Sequence, residues 1–403
     1  MGTVFRLLIE NFARALRLSL RRLFLGTFVL LFPAFKRFSK KRWLFNLDCH
    51  VSVIADIRNG LRDYPNVRLV SWSMSSHNFV FRRFFIDPDP VSELGRGLWK
   101  DLSDERITAF INRYSTFLRS FDGFVVTYPT SFVRLFGPLG RPILAVAATR
   151  YEHPFSRDKQ RWLELDEELK ALSNTGSLKL VANNLGDAHY LEHFIGIEVP
   201  VVPSLCDYVS VDNSRQGGVR VVQALSPELE RLLAAMLGPP WVGARAYLGR
   251  KYSWKKLSEV DMYFYVPHNS STMTLFELAT LGIPTAVPDP AFLTSLAKKH
   301  TGVMSELSFR GSREELTRED EREFAGADQN AEGFMKWWKD RADFYLPDVM
   351  PNVFQVSSTQ DVRLSSDLPP SYLTTNKEQE HRNSRIRNQR GELIREFVKL
   401  LEG

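Results

Sequence analysis

The chain has 403 residues, of which 44% are hydrophobic and 25% are charged. This composition excludes a chain that is disordered throughout, and the length allows two domains with separate cores. The two cysteines, Cys49 and Cys206, are too few for a disulfide framework and lack the spacing of a zinc site. We therefore expect both to be buried thiols.

The net charge of +6 is unevenly distributed along the chain. Residues 1–42 contain ten lysines and arginines and a single acidic residue, Glu10, so that they carry +9 while the other 361 residues carry −3. A basic arm on a mildly acidic body favours a membrane surface over a nucleic-acid groove as the partner. The arm, residues 1–41, is therefore predicted to associate with membranes, and no nucleic acid is expected.

Apolar residues in the arm follow two patterns. Residues 4–20 place apolar side chains at helical spacing between arginines, which is typical of an amphipathic helix. Residues 23–35, LFLGTFVLLFPAF, form an apolar run of thirteen residues, which is short for a bilayer span. A secretory signal fits poorly because basic residues flank the run on both sides. Three alternatives stay open, in order of preference: a peripheral interfacial anchor, a short signal anchor, or a helix packed on the body.

Short apolar strands alternate with helical segments from residue 42 onward, which predicts parallel sheets of the α/β class. Most of these strands are followed by polar residues, at the sheet edge where α/β proteins bind their ligands. In the first set, the predicted strands span 42–48, 67–74, 122–129, 141–149 and 178–184, and the predicted helices span 51–64 and 101–120.

A second set of strands and helices begins near residue 217. The polar, glycine-rich stretch 211–218 indicates a boundary between two domains. We predict an N-terminal domain over 42–210, a C-terminal domain over 211–375, and a helix over 376–403 that returns to the first domain. The predicted strands of the second set span 219–225, 260–267 and 285–290, and a capped helix spans 226–237.

Residues 267–290, PHNSSTMTLFELATLGIPTAVPDP, place three hydroxyl residues before a helix that carries one carboxylate. Unpaired N–H groups at a helix start attract a diphosphate, and a carboxylate accepts hydrogen bonds from both hydroxyls of a ribose. The alternative is a helix that serine and threonine merely cap, with its glutamate facing solvent.

Together with the strand before it, this stretch resembles the donor-binding segment of glycosyltransferases of the GT-B fold. The resemblance implies two Rossmann-like, doubly wound domains that face a cleft, with the nucleotide sugar against the second domain. It also implies that Ser270, Ser271, Thr272 and Glu277 bind the donor. Many retaining members carry a second glutamate eight residues before the first, where this chain has Asn269, so the anomeric outcome stays open.

Other charged side chains are candidates for catalysis. Arg250 and Lys251 precede the donor segment and would neutralise the departing diphosphate if no metal does so. In the first domain, His50 follows the first strand and is the candidate base for the acceptor hydroxyl. Asp48 would either orient His50 or act in its place. Each of these residues is also compatible with a purely structural or surface role.

Polar residues at other strand ends of the first domain are candidates for acceptor binding. They are His77, Tyr128, Arg150 and Asn184, and capping or structural roles remain open for each of them. Asp87 and Asp89 have the Asp-x-Asp spacing with which GT-A transferases hold manganese. Prolines on both sides favour a rigid turn instead, so we expect no metal and no other cofactor.

The sequence therefore predicts a glycosyltransferase that transfers a sugar from a nucleotide-sugar donor to an acceptor hydroxyl of a glycan or glycolipid. Two alternatives remain. One is a nucleotide-sugar epimerase of the same fold, which needs no separate acceptor. The other is a non-catalytic module that binds a carbohydrate or a nucleotide in the same cleft.

Overall fold

A computed structural model gives the structure of the protein. It describes residues 23–75, 85–86, 93–95, 97–155, 158–209, 218–249, 254–269, 271–304, 341–366 and 376–402. Both cysteines are free thiols, and Cys206 is buried as expected, whereas Cys49 is only partly buried. No helix among these residues is both long enough and apolar enough to cross a membrane.

The first domain contains a six-stranded parallel sheet in the order β3-β2-β1-β4-β5-β6. This is the order of the doubly wound Rossmann sheet, and it reverses between β1 and β4. The strands are β1 Arg42–Asp48, β2 Val67–Ser73, β3 Phe85–Ile86, β4 Gly123–Val126, β5 Ile143–Ala147 and β6 Leu178–Ala182. The helices are α1 over 23–37, α2 Val51–Gly60, α3 Asp104–Leu118, α4 Val133–Phe136, α5 Lys159–Asn174 and α6 Leu185–Ile195.

The second domain contains a five-stranded parallel sheet in the order β11-β10-β9-β7-β8, which reverses between β7 and β9. The strands are β7 Val219–Gln223, β8 Trp241–Gly243, β9 Val260–Tyr265, β10 Thr285–Pro288 and β11 Val353–Val356. The helices are α7 Pro227–Leu237, α8 Ala244–Leu248, α9 Trp254–Ser258, α10 Met273–Leu281, α11 Pro290–Lys299, α12 Thr359–Ser366 and α13 Asn376–Leu400.

Local sequence signals account for most of these elements. The central strands β4, β5 and β10 are buried along their whole length, because helices cover both faces of a parallel sheet. Several helices begin where a side chain accepts a hydrogen bond from a backbone N–H of the first turn. These N-cap residues are Ser103, Asp158, Asn184, Ser226 and Asp289.

The predicted fold class is confirmed, because two doubly wound α/β domains face one another in the GT-B arrangement. Each strand predicted from the sequence is present. The structure adds three short strands that the sequence did not indicate, namely β3, β8 and β11.

Helix α13 connects the two domains. Its residues Leu393, Ile394 and Phe397 pack in a core cluster with β1 and α2 of the first domain. Near its start, the amide of Gln379 donates a hydrogen bond to the carbonyl of Ala279 in α10. A substitution that shifts α13 would therefore disturb both domains.

The guanidinium of Arg390 makes a buried polar contact between α13 and the rest of the chain. Nη1 lies 2.8 Å from Oδ1 of Asp56 in α2. Nη2 lies 2.7 Å from Oδ2 of Asp207, which belongs to the segment between α6 and β7 that joins the domains. The Asp56 carboxylate also accepts hydrogen bonds from the backbone N–H groups of Leu205 and Cys206. This buried unit therefore fixes α2, the connecting segment and α13 to one another.

Gly60, the last residue of α2, allows this close approach. A Cβ atom at this position would lie 2.5 Å from Cδ1 of Ile394 and 3.1 Å from Nε of Arg390. Because real Cβ atoms do not come so near to other atoms, a larger residue here would force the ends of the Ile394 and Arg390 side chains to move.

We expect Arg390→Ala to destabilise the protein strongly, because it leaves Asp56 as a buried carboxylate without its cation. Breaking a buried pair in this way costs about 3–5 kcal/mol. Arg395→Ala, at an exposed position of the same helix, is the matched control. Thermal unfolding followed by circular dichroism should show a much lower midpoint for Arg390→Ala than for the control. Equal midpoints would contradict the role assigned to Arg390.

Candidate functional site

The strand order of the first sheet reverses beside Asp48, at the end of β1. Its carboxylate is buried and accepts a 2.8 Å hydrogen bond from the Ser73 hydroxyl at the end of β2. It also accepts one from the backbone N–H of His50. Burial raises the pKa of Asp48 to about 7, although both hydrogen bonds act in the opposite direction. Its Oδ2 has no hydrogen-bond partner among the described residues.

His50 occupies a different position from Asp48 at this edge. It is the N-cap residue of α2 and is exposed, with its ring 6.4 Å from that of Tyr128. The backbone N–H of Cys49 donates to the carbonyl of Tyr128 over 2.7 Å, which holds the ends of β1 and β4 together. Of the two predicted catalytic residues, His50 is thus exposed to solvent, whereas Asp48 is buried at the end of β1.

Two of the predicted acceptor residues, Arg150 and Asn184, lie together in a buried network. Both bind the carboxylate of Asp187, through Nη1 of Arg150 and through Nδ2 of Asn184 at 2.6 Å. The Arg150 guanidinium also lies over the ring of Tyr190, 4.2 Å from its centroid, and the Tyr190 hydroxyl donates to Glu152 over 2.8 Å. These side chains are therefore engaged with one another, and contact with an acceptor stays a prediction.

In the hydroxyl-rich turn of the second domain, the Thr272 side chain does not cap α10. Thr272 is the N-cap residue, but its side chain makes no capping hydrogen bond. Its Oγ1 instead lies 3.0 Å from the hydroxyl of Tyr265, which is 3.2 Å from Nδ1 of His268. The alternative of a helix that serine and threonine merely cap is therefore not supported at Thr272.

The adjacent Ser271 joins the turn to a contact between the domains. Its hydroxyl donates over 2.8 Å to Asp343, a buried carboxylate that also accepts from the backbone N–H of Leu185, the first residue of α6. Burial raises the pKa of Asp343 to about 7. Close by, the amide of Asn183 lies 3.9 Å from Sδ of Met273. These contacts bring the carboxyl edges of the two sheets face to face.

Glu277 is buried, so it is not a helix residue that faces solvent. One of its oxygens, Oε1, accepts a 2.7 Å hydrogen bond from the hydroxyl of Tyr208. Tyr208 belongs to the segment that joins the domains, and its ring lies 5.6 Å from that of Trp254. The structure thus holds the carboxylate in one orientation, one turn into α10.

A cavity of about 180 Å³ opens where the order of the second sheet reverses, beside the carboxyl ends of β7 and β9. At its wall, the hydroxyl of Tyr263 donates to Oε1 of Gln223 over 2.8 Å. Ligands of α/β proteins bind at this kind of reversal. The lining combines apolar and polar side chains from β7, β9 and helices α7 to α10, namely Gln223, Glu230, Ala244, Arg245, Leu248, Gly249, Leu257, Tyr263 and Thr274.

Among the described residues that line this cavity, Arg245 is the cation, and the sequence had not indicated it. Its guanidinium binds Glu230 at 2.8 Å and donates to the carbonyls of Ala224 and Leu225 in the loop after β7. The side chain remains 48% exposed. The sequence offers no local signal for this role, because the contacts depend on the order of the strands.

The remaining predicted site residues lie outside the described residues. They are His77, Arg250, Lys251 and Ser270, together with Asp87 and Asp89 of the alternative metal site. Within the part of the chain that the structure describes, no group of three or more histidine, cysteine or acidic residues could hold a metal ion.

No family model and no curated protein sequence matches the chain. Several solved structures match it over most of its length. The glycotransferase of kitacinnamycin is 10% identical, with a TM-score of 0.41, and 90% of this chain and 98% of that chain are covered. The wall teichoic acid polymerase TagF is 10% identical, with a TM-score of 0.44 and coverage of 96% and 99%.

A third match is the glycosyltransferase SnogD from Streptomyces nogalater. It is 12% identical, with a TM-score of 0.36, and 88% of this chain and 96% of that chain are covered. At such low identities and scores, these comparisons carry no information about the donor, the acceptor or the residues of the site.

The Glu152 carboxyl predicts a pH dependence of stability. Burial raises its pKa from 4.5 to about 7. The stability that the protonated acid contributes is therefore present below about pH 4.5 and is lost as the pH rises through about 7. Glu152→Gln can still accept the Tyr190 hydrogen bond but does not titrate. We expect its free energy of unfolding to exceed that of the wild type by roughly 1–3 kcal/mol at about pH 8, and to match it at about pH 4.5.

Urea denaturation at both pH values measures this difference. Glu198→Gln, at an exposed position just beyond α6, is the control and should leave the pH dependence unchanged. A Glu152→Gln variant with the same pH dependence as the wild type would show that Glu152 does not bind the extra proton.

Proposed function

We propose that the protein is a glycosyltransferase that moves a sugar from a nucleotide-sugar donor to an acceptor hydroxyl of a glycan or glycolipid. The observation that carries this proposal is the geometry of the second domain. A cavity and the N-terminus of α10 lie at the same reversal of strand order, and the carboxyl edge of the first sheet faces them with His50 exposed.

The donor would lie against the second domain. Its nucleoside would enter the cavity, where apolar side chains such as Leu248 and Leu257 cover a base and Gln223 and Thr274 offer polar groups. Its diphosphate would lie at the start of α10, where backbone N–H groups and the helix dipole favour an anion. The Thr272 hydroxyl, which does not cap the helix, is near this position.

Glu277 would accept hydrogen bonds from the ribose hydroxyls. A carboxylate can accept several hydrogen bonds at once, and Oε1 of Glu277 accepts that of Tyr208. The hydrogen bond from Tyr208 also fixes the orientation of the carboxylate before the donor binds. Holding a binding group in place in this way lowers the entropic cost of binding.

In the transfer step, the bond from the anomeric carbon to the diphosphate oxygen breaks and a bond to the acceptor oxygen forms. His50 would take the proton of the acceptor hydroxyl as general base. The charge of the departing diphosphate would be stabilised by the N-terminus of α10 and by Arg245, without a metal ion. Asp48 is buried and accepts a hydrogen bond from the backbone N–H of His50. It would position His50 and would not contact the acceptor.

The donor site is tested by the Glu277→Gln variant. The substitution keeps the shape of the side chain but removes its charge-assisted hydrogen bonds, each of which contributes roughly 1.5–3 kcal/mol. We expect its affinity for the matching nucleoside diphosphate to fall about tenfold to a hundredfold. Calorimetric titration with UDP, GDP, CDP, ADP and dTDP identifies the base and measures the loss. Glu228→Gln, at an exposed position of α7, is the control.

Unchanged affinity in a folded Glu277→Gln variant would remove the ribose role and leave Glu277 with a structural role only. If no nucleoside diphosphate binds the wild type, the donor proposal as a whole is wrong. Slow hydrolysis of the bound donor without an acceptor would distinguish an enzyme from a binding module. Conversion of the donor into an epimer would favour the epimerase.

The catalytic role of His50 predicts a different pattern. His50→Ala should lower turnover by about a hundredfold or more while leaving donor affinity nearly intact. His381→Ala, at an exposed position of α13, is the matched control. Initial rates with the donor found above and a panel of glycan acceptors measure the effect, in buffer that contains EDTA. Loss of wild-type activity in EDTA with recovery in manganese would contradict metal-free transfer and implicate Asp87 and Asp89.

A further inference from the structure

One face of helix α1 is docked on the first domain. Phe32 is buried, with its ring stacked on that of Phe121 at 4.7 Å, and Phe28 lies edge-on to Phe117 at 5.8 Å. At the C-terminal end of the helix, Nζ of Lys36 forms an ion pair with Asp122 at 3.0 Å. Residues 23–37 are therefore part of the folded domain and not a tether.

The opposite face of α1 is apolar and exposed. Six of the fourteen large exposed hydrophobic side chains that the structure describes occur within residues 23–38. At helical spacing they cover one broad side of the helix, and this side ends at Phe35, whose ring also lies 6.4 Å from that of Phe32 and 5.7 Å from that of Trp43. Phe38 follows directly after the helix. We call this set the outer face of α1; it comprises Leu23, Phe24, Leu30, Leu31, Phe35 and Phe38, with exposed fractions of 57–89%.

Exposed basic residues border the outer face, and one of them, Arg42, forms an ion pair with Asp122 at 3.6 Å. Arg37, Lys40 and Arg42 are exposed beside it or just beyond the end of the helix. No acidic residue occurs between residues 23 and 47. An exposed apolar stripe with basic residues at its border is the arrangement of helices that lie in the interface of an anionic bilayer. A protein partner would need a surface that is both apolar and acidic.

We propose that the outer face of α1 docks on an anionic lipid bilayer and holds the first domain to it as a rigid body. The inner contacts of α1 involve Trp43 and Asp122, at the amino ends of β1 and β4. His50 lies at the other end of β1, a strand of seven residues that extends about 23 Å. Lipid binding and substrate binding therefore use opposite edges of the first sheet and can be measured separately.

The test uses the full chain and vesicle flotation. Vesicles of phosphatidylcholine with about 30% phosphatidylglycerol are compared with pure phosphatidylcholine, at low and high salt. Leu30→Gln combined with Phe38→Gln changes two of the most exposed side chains of the outer face. We expect this variant to bind anionic vesicles at least about tenfold more weakly. Leu364→Gln, which changes a leucine of α12 that is 61% exposed, is the matched control and should bind as the wild type does.

Several results would overturn the proposal. Equal flotation of the double variant and the control would show that the outer face does not contact lipid. Equal binding to neutral and anionic vesicles would exclude the electrostatic contribution. If deletion of residues 1–22 abolishes binding while the double variant retains it, the preceding segment is the anchor. If light scattering shows a dimer that only the double variant loses, without any vesicle binding, the face joins two copies of the chain. Nucleoside-diphosphate affinity and thermal midpoint, measured in parallel, show that each variant is folded.

Discussion

The contact of Arg390 with Asp56 and Asp207 is the constraint on which the arrangement of the two domains depends. Helix α13 starts against α10 in the second domain and ends in the core of the first. The guanidinium of Arg390 anchors it in the first domain, and that of Arg382 donates to the carbonyls of Ser204 and Val349. Because the candidate site is assembled from the facing edges of two separate sheets, the distances between its parts depend on this crossing together with the direct contacts between the edges.

Buried carboxyl groups with raised pKa values occur in both domains. Asp48 and Glu152 in the first domain and Asp343 in the second each have a pKa that burial raises to about 7. A buried carboxyl group with a raised pKa makes the free energy of folding less favourable at neutral pH, so its presence points to a compensating role. For Asp343 this role is visible, since it joins the turn before α10 to the first turn of α6.

Local patterns in the sequence predicted the fold well, and they predicted the site only in part. Long apolar runs identified the central strands, whereas β8 and β11 were missed because they have only three and four residues and include exposed ones. The turn before α10 was identified from the sequence because its three hydroxyl residues are consecutive. The contact of Tyr208 with Glu277 joins residues 69 positions apart, and the Arg245 cavity depends on strand order. Neither has a local signature that a sequence could reveal.

The absence of a side chain at Gly60 affects how the connecting helix α13 is seated. The missing side chain lets α13 lie directly on α2, and α13 in turn holds α10 through Gln379. A methyl group at residue 60 would meet the ends of the Ile394 and Arg390 side chains, the same two side chains that seat α13 on the first domain. The fit of the helix that joins the two domains therefore depends on the absence of one carbon atom far from either substrate.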